Sequence, residues 1–164
     1  MDRLWSPWRG EYIASAGASD SLGRCVFCEI QADSSNDQRN FVLHRARFNF
    51  VVLNIHPYSS GHLLIVPYEH AAELCSVSKE TSDELMDLTK RAEAAIRGAY
   101  QPDGINLGMN LGRAAGAGIA DHIHVHMLPR WNGDTNFMTT VGETRVLPED
   151  LSTTFSRLRD RFTG

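Results

Sequence analysis

The 164-residue sequence has little of what would place it in a membrane, outside the cell or on a nucleic acid. No apolar run approaches the roughly 20 residues needed to span a bilayer. Residues 1–8, MDRLWSPW, lack the basic start and apolar stretch of a signal peptide. Three cysteines, an odd number, argue against a disulfide framework. A net charge of −4 argues against a broad nucleic-acid footprint but leaves room for a local basic site. We therefore expect a cytoplasmic protein that binds neither membrane nor nucleic acid.

Length and composition predict a single domain over residues 1–164. A chain of this size buries a sizeable core, and 42% hydrophobic and 22% charged residues are ordinary for a globular protein. No internal repeat or low-complexity tract divides it. Residues 1–20 are predicted to form an irregular arm with Trp5 and Trp8 as anchors, and the polar residues 31–40 to form a loop.

Hydrophobic patterning predicts five strands, at residues 41–44, 48–54, 62–67, 104–110 and 121–129. Turn-forming residues between the second and third strands favour an antiparallel pair. Helices are predicted at residues 78–100 and 148–162, each with an apolar stripe at helical spacing. The first begins either at a capping box formed by Thr81 and Glu84 or at Ser78, one turn earlier. Strands grouped apart from helices indicate an α+β fold with an antiparallel sheet.

The run HIHVHML at residues 122–128 is the most informative about function. Side chains alternate between the faces of a strand, so His122, His124 and His126 are predicted to share one face. The apolar residues between them, Ile123, Val125 and Met127, would face the core. Aligned imidazoles bind a metal or perform nucleophilic and acid–base chemistry on a phosphate. An exposed polar strand face is the structural alternative.

Histidine chemistry on phosphorus favours His124 as the nucleophile. A neutral ring nitrogen attacks phosphorus, and a partner on the other nitrogen has to fix the tautomer. His124 is the central residue and has a histidine neighbour on each side. His126 is then placed to organise the phosphate or to assist the leaving group.

A glycine-rich loop, NLGRAAGAG at residues 110–118, leads into the histidines. Glycines let backbone N–H groups approach an anion closely. By itself the loop is equally well a flexible turn. Its position directly before the histidines favours a phosphate cradle.

Cys25 and Cys28 form a Cys-x-x-Cys pair. In an intracellular chain this spacing suits zinc, and two small buried side chains are the alternative. His70 and His122 are candidates for the two further ligands that zinc needs. Cys75 has no partner of this kind and is predicted to lie in the core.

The histidine run, its upstream Asn/Gly loop and the following Pro129 and Arg130 resemble the histidine-triad (HIT) family. The resemblance extends from about residue 25 to about residue 137, the predicted HIT core. It implies a five-stranded antiparallel sheet with two helices. It also implies a homodimer in which the sheets of two subunits join.

The resemblance implies site residues as well. It makes His124 the nucleotidylated residue, places Asn110 at the phosphate, and places Asn54 and His62 near the nucleotide and the triad. Backbone N–H groups of the loop would stabilise charge on the phosphate; these belong to Gly116, Ala117 and Gly118. The implied walls of the base pocket are Phe27, Ile30, Phe50 and Leu53.

The same resemblance implies a structural zinc ion. Its ligands would be Cys25, Cys28, His70 and His122. If His122 binds zinc, it orients the triad strand and is not itself a catalyst; otherwise it belongs to the catalytic residues with His124 and His126. No catalytic metal is required.

Three stretches resemble the bacterial group of the family that has diadenosine tetraphosphate phosphorylase activity: residues 4–9, 106–112 and 129–137. The last stretch would place Arg130, Trp131 and Asn136 near the mouth of the site. Gly118 departs from the family, which usually has a polar residue four positions before the first triad histidine. A side-chain hydrogen bond to phosphate is therefore missing or replaced by a backbone N–H. The acceptor, water or inorganic phosphate, stays open.

The predicted function is cleavage of dinucleoside polyphosphates through a nucleotidyl-histidine intermediate. A nucleoside phosphoramidate hydrolase uses the same nucleophile and is the second enzymatic hypothesis. A nucleotide-binding protein with incidental turnover is a third. A metallohydrolase with zinc on all three triad histidines is a fourth.

Overall fold

The computed structural model describes residues 25–142, 147 and 149–162. The predicted arm at residues 1–20 lies outside them, as does Pro148. The strands are β1 (Val42–Arg45), β2 (Asn49–Leu53), β3 (Leu63–Pro67), β4 (Gly104–Met109) and β5 (Val125–Arg130). The helices are α1 (Val26–Ala32), α2 (Lys79–Tyr100), α3 (Phe137–Thr140) and α4 (Leu151–Arg159).

The five strands form one antiparallel sheet in the order β1-β2-β3-β5-β4. All five predicted strands are present, which confirms the expected α+β fold with a five-stranded antiparallel sheet. Strand β5 lies between β3 and β4, and the register pairs His126 with Leu64 of β3. The last residues of the histidine run therefore lie inside the sheet.

The long helix α2 begins at Ser78, whose side chain accepts a hydrogen bond from the Thr81 N–H. The alternative prediction, a capping box formed by Thr81 and Glu84, was wrong because the Glu84 side chain forms its hydrogen bonds elsewhere. Its carboxylate accepts from the backbone N–H groups of Arg47 and Phe48 and so holds the β1–β2 turn. The C-terminal helix starts at Leu151, capped by Asp150, which is later than predicted.

Helix α1 was not predicted, because its seven residues are too few for a clear helical period. The two faces of the sheet carry separate apolar clusters. Strands β2, β3 and β5 alternate so that one face packs against α2 and α4. The other face packs beneath α1, in a cluster formed by Phe27, Val42, Phe50, Val52, Leu64 and Val66. Helix α1 is thereby fixed over the face to which Leu64 and its register partner His126 belong. Among the described residues, no helix is both long and apolar enough to cross a membrane.

Candidate active site and metal centre

The histidine run divides between the sheet and the segment before it. Strand β5 starts at Val125, so His122 and His124 precede it, and the expectation of three histidines within one strand was wrong. The cause is a change of partner: the Ile123 N–H donates to the carbonyl of Ala71, outside the sheet. The rings of His124 and His126 nevertheless lie together, with centroids 4.8 Å apart.

His124 and His126 line a cavity of about 750 Å³, which is within the range of small-molecule sites. Of the residues predicted to contact the nucleotide or its phosphates, six more line it: Phe27, Ile30, Leu53, Asn54, Gly116 and Gly118. Four residues of that predicted set are not part of its wall: Phe50, His62, Asn110 and Ala117. Phe50 is fully buried in the cluster beneath α1, so the structure does not support its predicted place at the base.

His124 is held in one tautomer by the backbone. Its Nδ1 lies 2.9 Å from the carbonyl oxygen of His122. A carbonyl oxygen only accepts hydrogen bonds, so this nitrogen carries the proton in the neutral ring. The lone pair is then on Nε2. The side chain is 5% exposed, and burial lowers its pKa, which favours the neutral form.

A second chain of hydrogen bonds fixes His126. The Tyr58 N–H donates to Nδ1 of His62 over 3.1 Å, so the proton of neutral His62 is on Nε2. That nitrogen lies 3.0 Å from Nδ1 of His126 and donates to it. Neutral His126 therefore carries its own proton on Nε2. The run thus offers a bare nitrogen on His124 beside an N–H on His126.

Burial keeps this pair of histidines neutral. Burial is the main cause that lowers the pKa of His62 to about 3, and the neighbouring His126 and His124 add to it. Burial, followed by the charge of His124, lowers the pKa of His126 to about 4. The donor direction from Tyr58 through His62 to His126 therefore persists at neutral pH.

The glycine-rich loop turns at two glycines with left-handed backbone, Gly112 at φ 80° and Gly116 at φ 92°. Two of the three predicted phosphate donors are already bonded inside the loop. The Gly116 N–H donates to the Arg113 carbonyl over 2.9 Å, and the Ala117 N–H donates to the Gly112 carbonyl over 3.3 Å. Asn110 donates to the Gly116 carbonyl over a long 3.5 Å. In this conformation these groups shape the loop.

Cys25, Cys28, His70 and His122 bring one ligand atom each to within 4.8 Å of one another. Sγ of Cys25 lies 3.3 Å from Nδ1 of His122, and Sγ of Cys28 lies 3.3 Å and 3.7 Å from Nδ1 of His70 and His122. Ligands of a tetrahedral zinc site are about 3.6 Å apart, from Zn–S near 2.3 Å and Zn–N near 2.0 Å. Nε2 of His122 lies 2.9 Å from the Pro67 carbonyl. It therefore donates there and leaves Nδ1 free to bind a metal; zinc-binding histidines usually donate their other ring N–H to a carbonyl or carboxylate in this way.

This geometry argues against zinc on the three triad histidines. His122 turns its bare nitrogen to the cysteines, and His124 points Nδ1 at a carbonyl. Among the described residues, the Cys/His cluster is the one group of three or more His, Cys, Asp or Glu side chains whose ligand atoms lie close enough together to hold a metal ion.

Two other expectations were wrong. Cys75 is exposed in a 3₁₀ turn, where its thiol faces Glu73, and does not lie in the core. Arg130, Trp131 and Asn136 do not line the cavity. They lie at or beyond the far end of β5, six residues and about 20 Å long. There Arg130 pairs with Asp134, Trp131 packs against Tyr100, and Asn136 caps α3.

Among the cavity residues that the sequence analysis did not name, Tyr58 and Arg113 bear most directly on the chemistry of the site. Tyr58 stacks on His126 with ring planes 15° apart, and Arg113 belongs to the glycine-rich loop. Arg113 was within reach of sequence reasoning, since it is the cation of a predicted phosphate loop. Tyr58 gave no signal beyond its place in a turn.

The model of the HIT domain matches residues 35–133. An AP-4-A phosphorylase from Mycobacterium tuberculosis (strain ATCC 25618 / H37Rv) is 40% identical over 94% of this chain and 80% of its own length. An adenosine 5'-monophosphoramidase, hnt1, from Schizosaccharomyces pombe is 30% identical over 78% of this chain and 96% of its own.

A solved structure agrees with these relatives. The crystal structure of a Zn-bound histidine triad family protein from Mycobacterium smegmatis superposes with a TM-score of 0.66 at 31% identity. The match covers 84% of this chain and 91% of that protein. With the family model, the relatives and the histidine geometry in agreement, the chain belongs to the HIT family.

Proposed function

We propose that this HIT-family enzyme is a dinucleoside polyphosphate phosphorylase that works through a nucleotidyl-His124 intermediate. One observation carries the proposal: the backbone fixes His124 so that Nε2 holds the lone pair beside the N–H of His126, both in the wall of one cavity. The relative named AP-4-A phosphorylase, 40% identical over most of the chain, supports the substrate class.

In the first step, the Nε2 lone pair of His124 attacks the α-phosphorus of one nucleoside. A P–N bond forms, and the P–O bond to the remaining nucleotide breaks. The bond electrons stay on the departing phosphate oxygen. The His126 N–H donates a hydrogen bond to that oxygen, which leaves as an anion and needs no full proton.

In the second step, an oxygen of inorganic phosphate attacks the same phosphorus. The P–N bond breaks and its electron pair returns to Nε2 of His124. The product is a nucleoside diphosphate, and the histidine regains its starting state. Water in the same position would give a nucleoside monophosphate. Gly118 lies in the cavity wall without a side chain, which leaves room for the larger acceptor.

We further propose that the Cys/His cluster holds structural zinc. Cys25, Cys28, His70 and His122 would be the ligands, in agreement with the tetrahedral spacing and the Zn-bound relative. Bound there, the ion would tie α1 to the segment that begins the histidine run. His122 would orient His124 through the peptide carbonyl that accepts from it.

The sheet edge at β4 supports the proposed homodimer. In the described part of the chain, β4 pairs only with β5. Three consecutive β4 residues are exposed, among them Leu107 at 53%, whereas β1 at the opposite edge is buried or half-buried. An open strand edge is a template for another strand, and a second copy would extend the sheet. Light scattering is expected to give a dimer that Leu107→Lys converts to monomer. A monomeric parent protein would contradict it.

The second candidate is hydrolysis of nucleoside phosphoramidates. The adenosine 5'-monophosphoramidase from Schizosaccharomyces pombe, 30% identical, favours it. The same nucleophile would attack, with a smaller leaving group.

Product analysis distinguishes these functions. The purified protein is incubated with diadenosine tetraphosphate, with and without inorganic phosphate, and the nucleotides are separated by chromatography. We expect ATP and ADP, formed only when phosphate is present. ATP and AMP irrespective of phosphate would identify a hydrolase. No cleavage of this substrate, together with efficient cleavage of adenosine phosphoramidate, would assign the second function.

A further inference from the structure

Arg113 is the only arginine or lysine among the described residues that line the cavity. The carboxylates in the same wall belong to Glu29 and Asp121. A polyphosphate anion entering this cavity therefore meets one permanent cation in a wall that is otherwise neutral, acidic or imidazole.

The loop places Arg113 in the same cavity wall as His124. Arg113 opens the 3₁₀ turn Arg113–Ala115 between the two left-handed glycines, and its carbonyl accepts from the Gly116 N–H. Gly116 and Gly118, which follow, line the same cavity as His124. The apolar part of the wall comes from α1 and β2 instead, through Phe27, Ile30 and Leu53.

The two candidate substrates differ in what lies beyond the attacked phosphorus. In a dinucleoside tetraphosphate, three further phosphates, each with a negative charge, depart with the leaving nucleotide. In a nucleoside phosphoramidate, only an amine departs. A cation that contacts the departing phosphates therefore favours the first substrate and is neutral toward the second.

We propose that Arg113 binds the phosphates of the leaving nucleotide and is the residue that selects polyphosphate substrates. This inference rests on the proposed function, since it assigns the leaving-group side of the same site. Guanidinium suits the task because it stays charged and presents several donors to phosphate oxygens.

Equilibrium binding tests this independently of turnover. ATP and AMP are titrated against protein that carries His124→Ala, so that no transfer takes place, alone and combined with Arg113→Gln or Arg113→Lys. A charge-assisted contact is worth about tenfold or more in affinity. We expect Arg113→Gln to weaken ATP about tenfold and leave AMP within twofold. Arg113→Lys should recover most of the loss.

Arg97→Gln is the matched control. This arginine is half-exposed on α2, is paired with Glu93 and does not line the cavity. Its loss removes the same charge from the protein and should leave the ATP-to-AMP ratio unchanged. A fall equal to that of Arg113→Gln would show that net charge, not the site, sets the ratio, and would overturn the proposal.

Steady-state kinetics provide a second test, in proteins that retain His124. Arg113→Gln should lower kcat/KM for diadenosine tetraphosphate about tenfold and leave that for adenosine phosphoramidate within twofold. An equal fall for both substrates, or for ATP and AMP in the titration, would show that Arg113 serves only the loop and would overturn the inference. So would no change for any of them. A parent protein that ignores diadenosine tetraphosphate would contradict the proposed function, and the ATP and AMP titration would still decide the role of Arg113.

Discussion

The two ends of the histidine run have the same residue type and opposite surroundings. His122 is fully buried, and its two ring nitrogens face the cysteines and the Pro67 carbonyl. His126 lines the cavity and receives its hydrogen bond from His62. One end belongs to the Cys/His cluster that could hold a metal ion, and the other lies in the wall of the cavity. His122 and His126 differ in the groups that contact their ring nitrogens, and the local fold places those groups.

His124 stands between these ends and is connected to both. Its Nδ1 donates to the carbonyl of His122, while its ring packs 4.8 Å from that of His126. The ring centroid of Phe27, in α1, lies 5.3 Å from that of His122 and 5.0 Å from that of His124. The Cys/His cluster is thereby connected to His124 through the His122 carbonyl and the ring of Phe27.

The largest effect is expected from removing the nucleophile. His124→Ala should lower kcat at least 10³-fold, about 4 kcal/mol, because no other described nitrogen combines a bare lone pair with a place beside the His126 N–H. Turnover of diadenosine tetraphosphate is the measurement. The Cys/His cluster does not include His124, so metal content should stay at the level of the parent protein. A variant with near-normal turnover would contradict the assignment.

Removing one of the proposed ligands in the Cys/His cluster should lower the stability of the protein more than its activity. Cys28→Ser is expected to lose bound zinc and to lower Tm by on the order of 10 °C, as follows from the loss of about 4 kcal/mol of ligand stabilisation. Metal analysis and thermal unfolding measure the two effects. Cys75→Ser, at an exposed cysteine outside the cluster, is the control and should retain zinc and Tm. Equal zinc in both variants would contradict the proposed ligands.

The strands and the candidate metal ligands could be predicted from sequence, because the patterns that indicate them are local. Hydrophobic patterning predicted all five strands, and the Cys-x-x-Cys spacing together with the family resemblance pointed to the Cys/His set. What sequence could not supply was the division of the run, which depends on the Ile123 N–H bonding to Ala71, 52 residues away. The pattern of alternation is the same on either side of that point.

The histidine relay was also beyond local reasoning. His62 meets His126 because strands β3 and β5 pair Leu64 with His126, which puts His62 at the diagonal position. The tautomer of His62 then depends on the Tyr58 N–H, whose direction is set by the turn at residues 54–62. Each link joins segments whose spacing carries no sequence signal.

The pH dependence of the free energy of unfolding tests the protonation state of His62, which donates to His126. His62 is lowered to a pKa of about 3 in the fold, against an unfolded value near 6.5. Its neutral form therefore contributes stability that is complete above pH 6.5 and is lost as the pH falls toward 3. Between pH 7 and pH 5 one such imidazole accounts for about 2 kcal/mol.

His62→Gln should lack this dependence. Urea unfolding at pH 7 and pH 5 is expected to show the parent protein losing about 2 kcal/mol more than the variant over this interval. Acid release of zinc affects both proteins and cancels in the difference. Parallel losses would show that His62 takes up a second proton as readily in the folded as in the unfolded protein, which would contradict the hydrogen bond that its Nδ1 accepts from the Tyr58 N–H.

Substitutions of Tyr58 test how far its ring shields His62 and His126 from water. Its ring lies 4.7 Å from that of His62 and 6.1 Å from that of His126. Such aromatic contacts are worth about 1 kcal/mol. Tyr58→Ala should therefore lower kcat up to about tenfold with little change in KM, and Tyr58→Phe should restore it because the ring does the packing. Water admitted by the alanine variant relieves the burial that depresses the pKa of His126, so the acidic limb of the rate profile should move to higher pH. A loss confined to KM, or a phenylalanine variant as slow as alanine, would show instead that Tyr58 contacts the substrate.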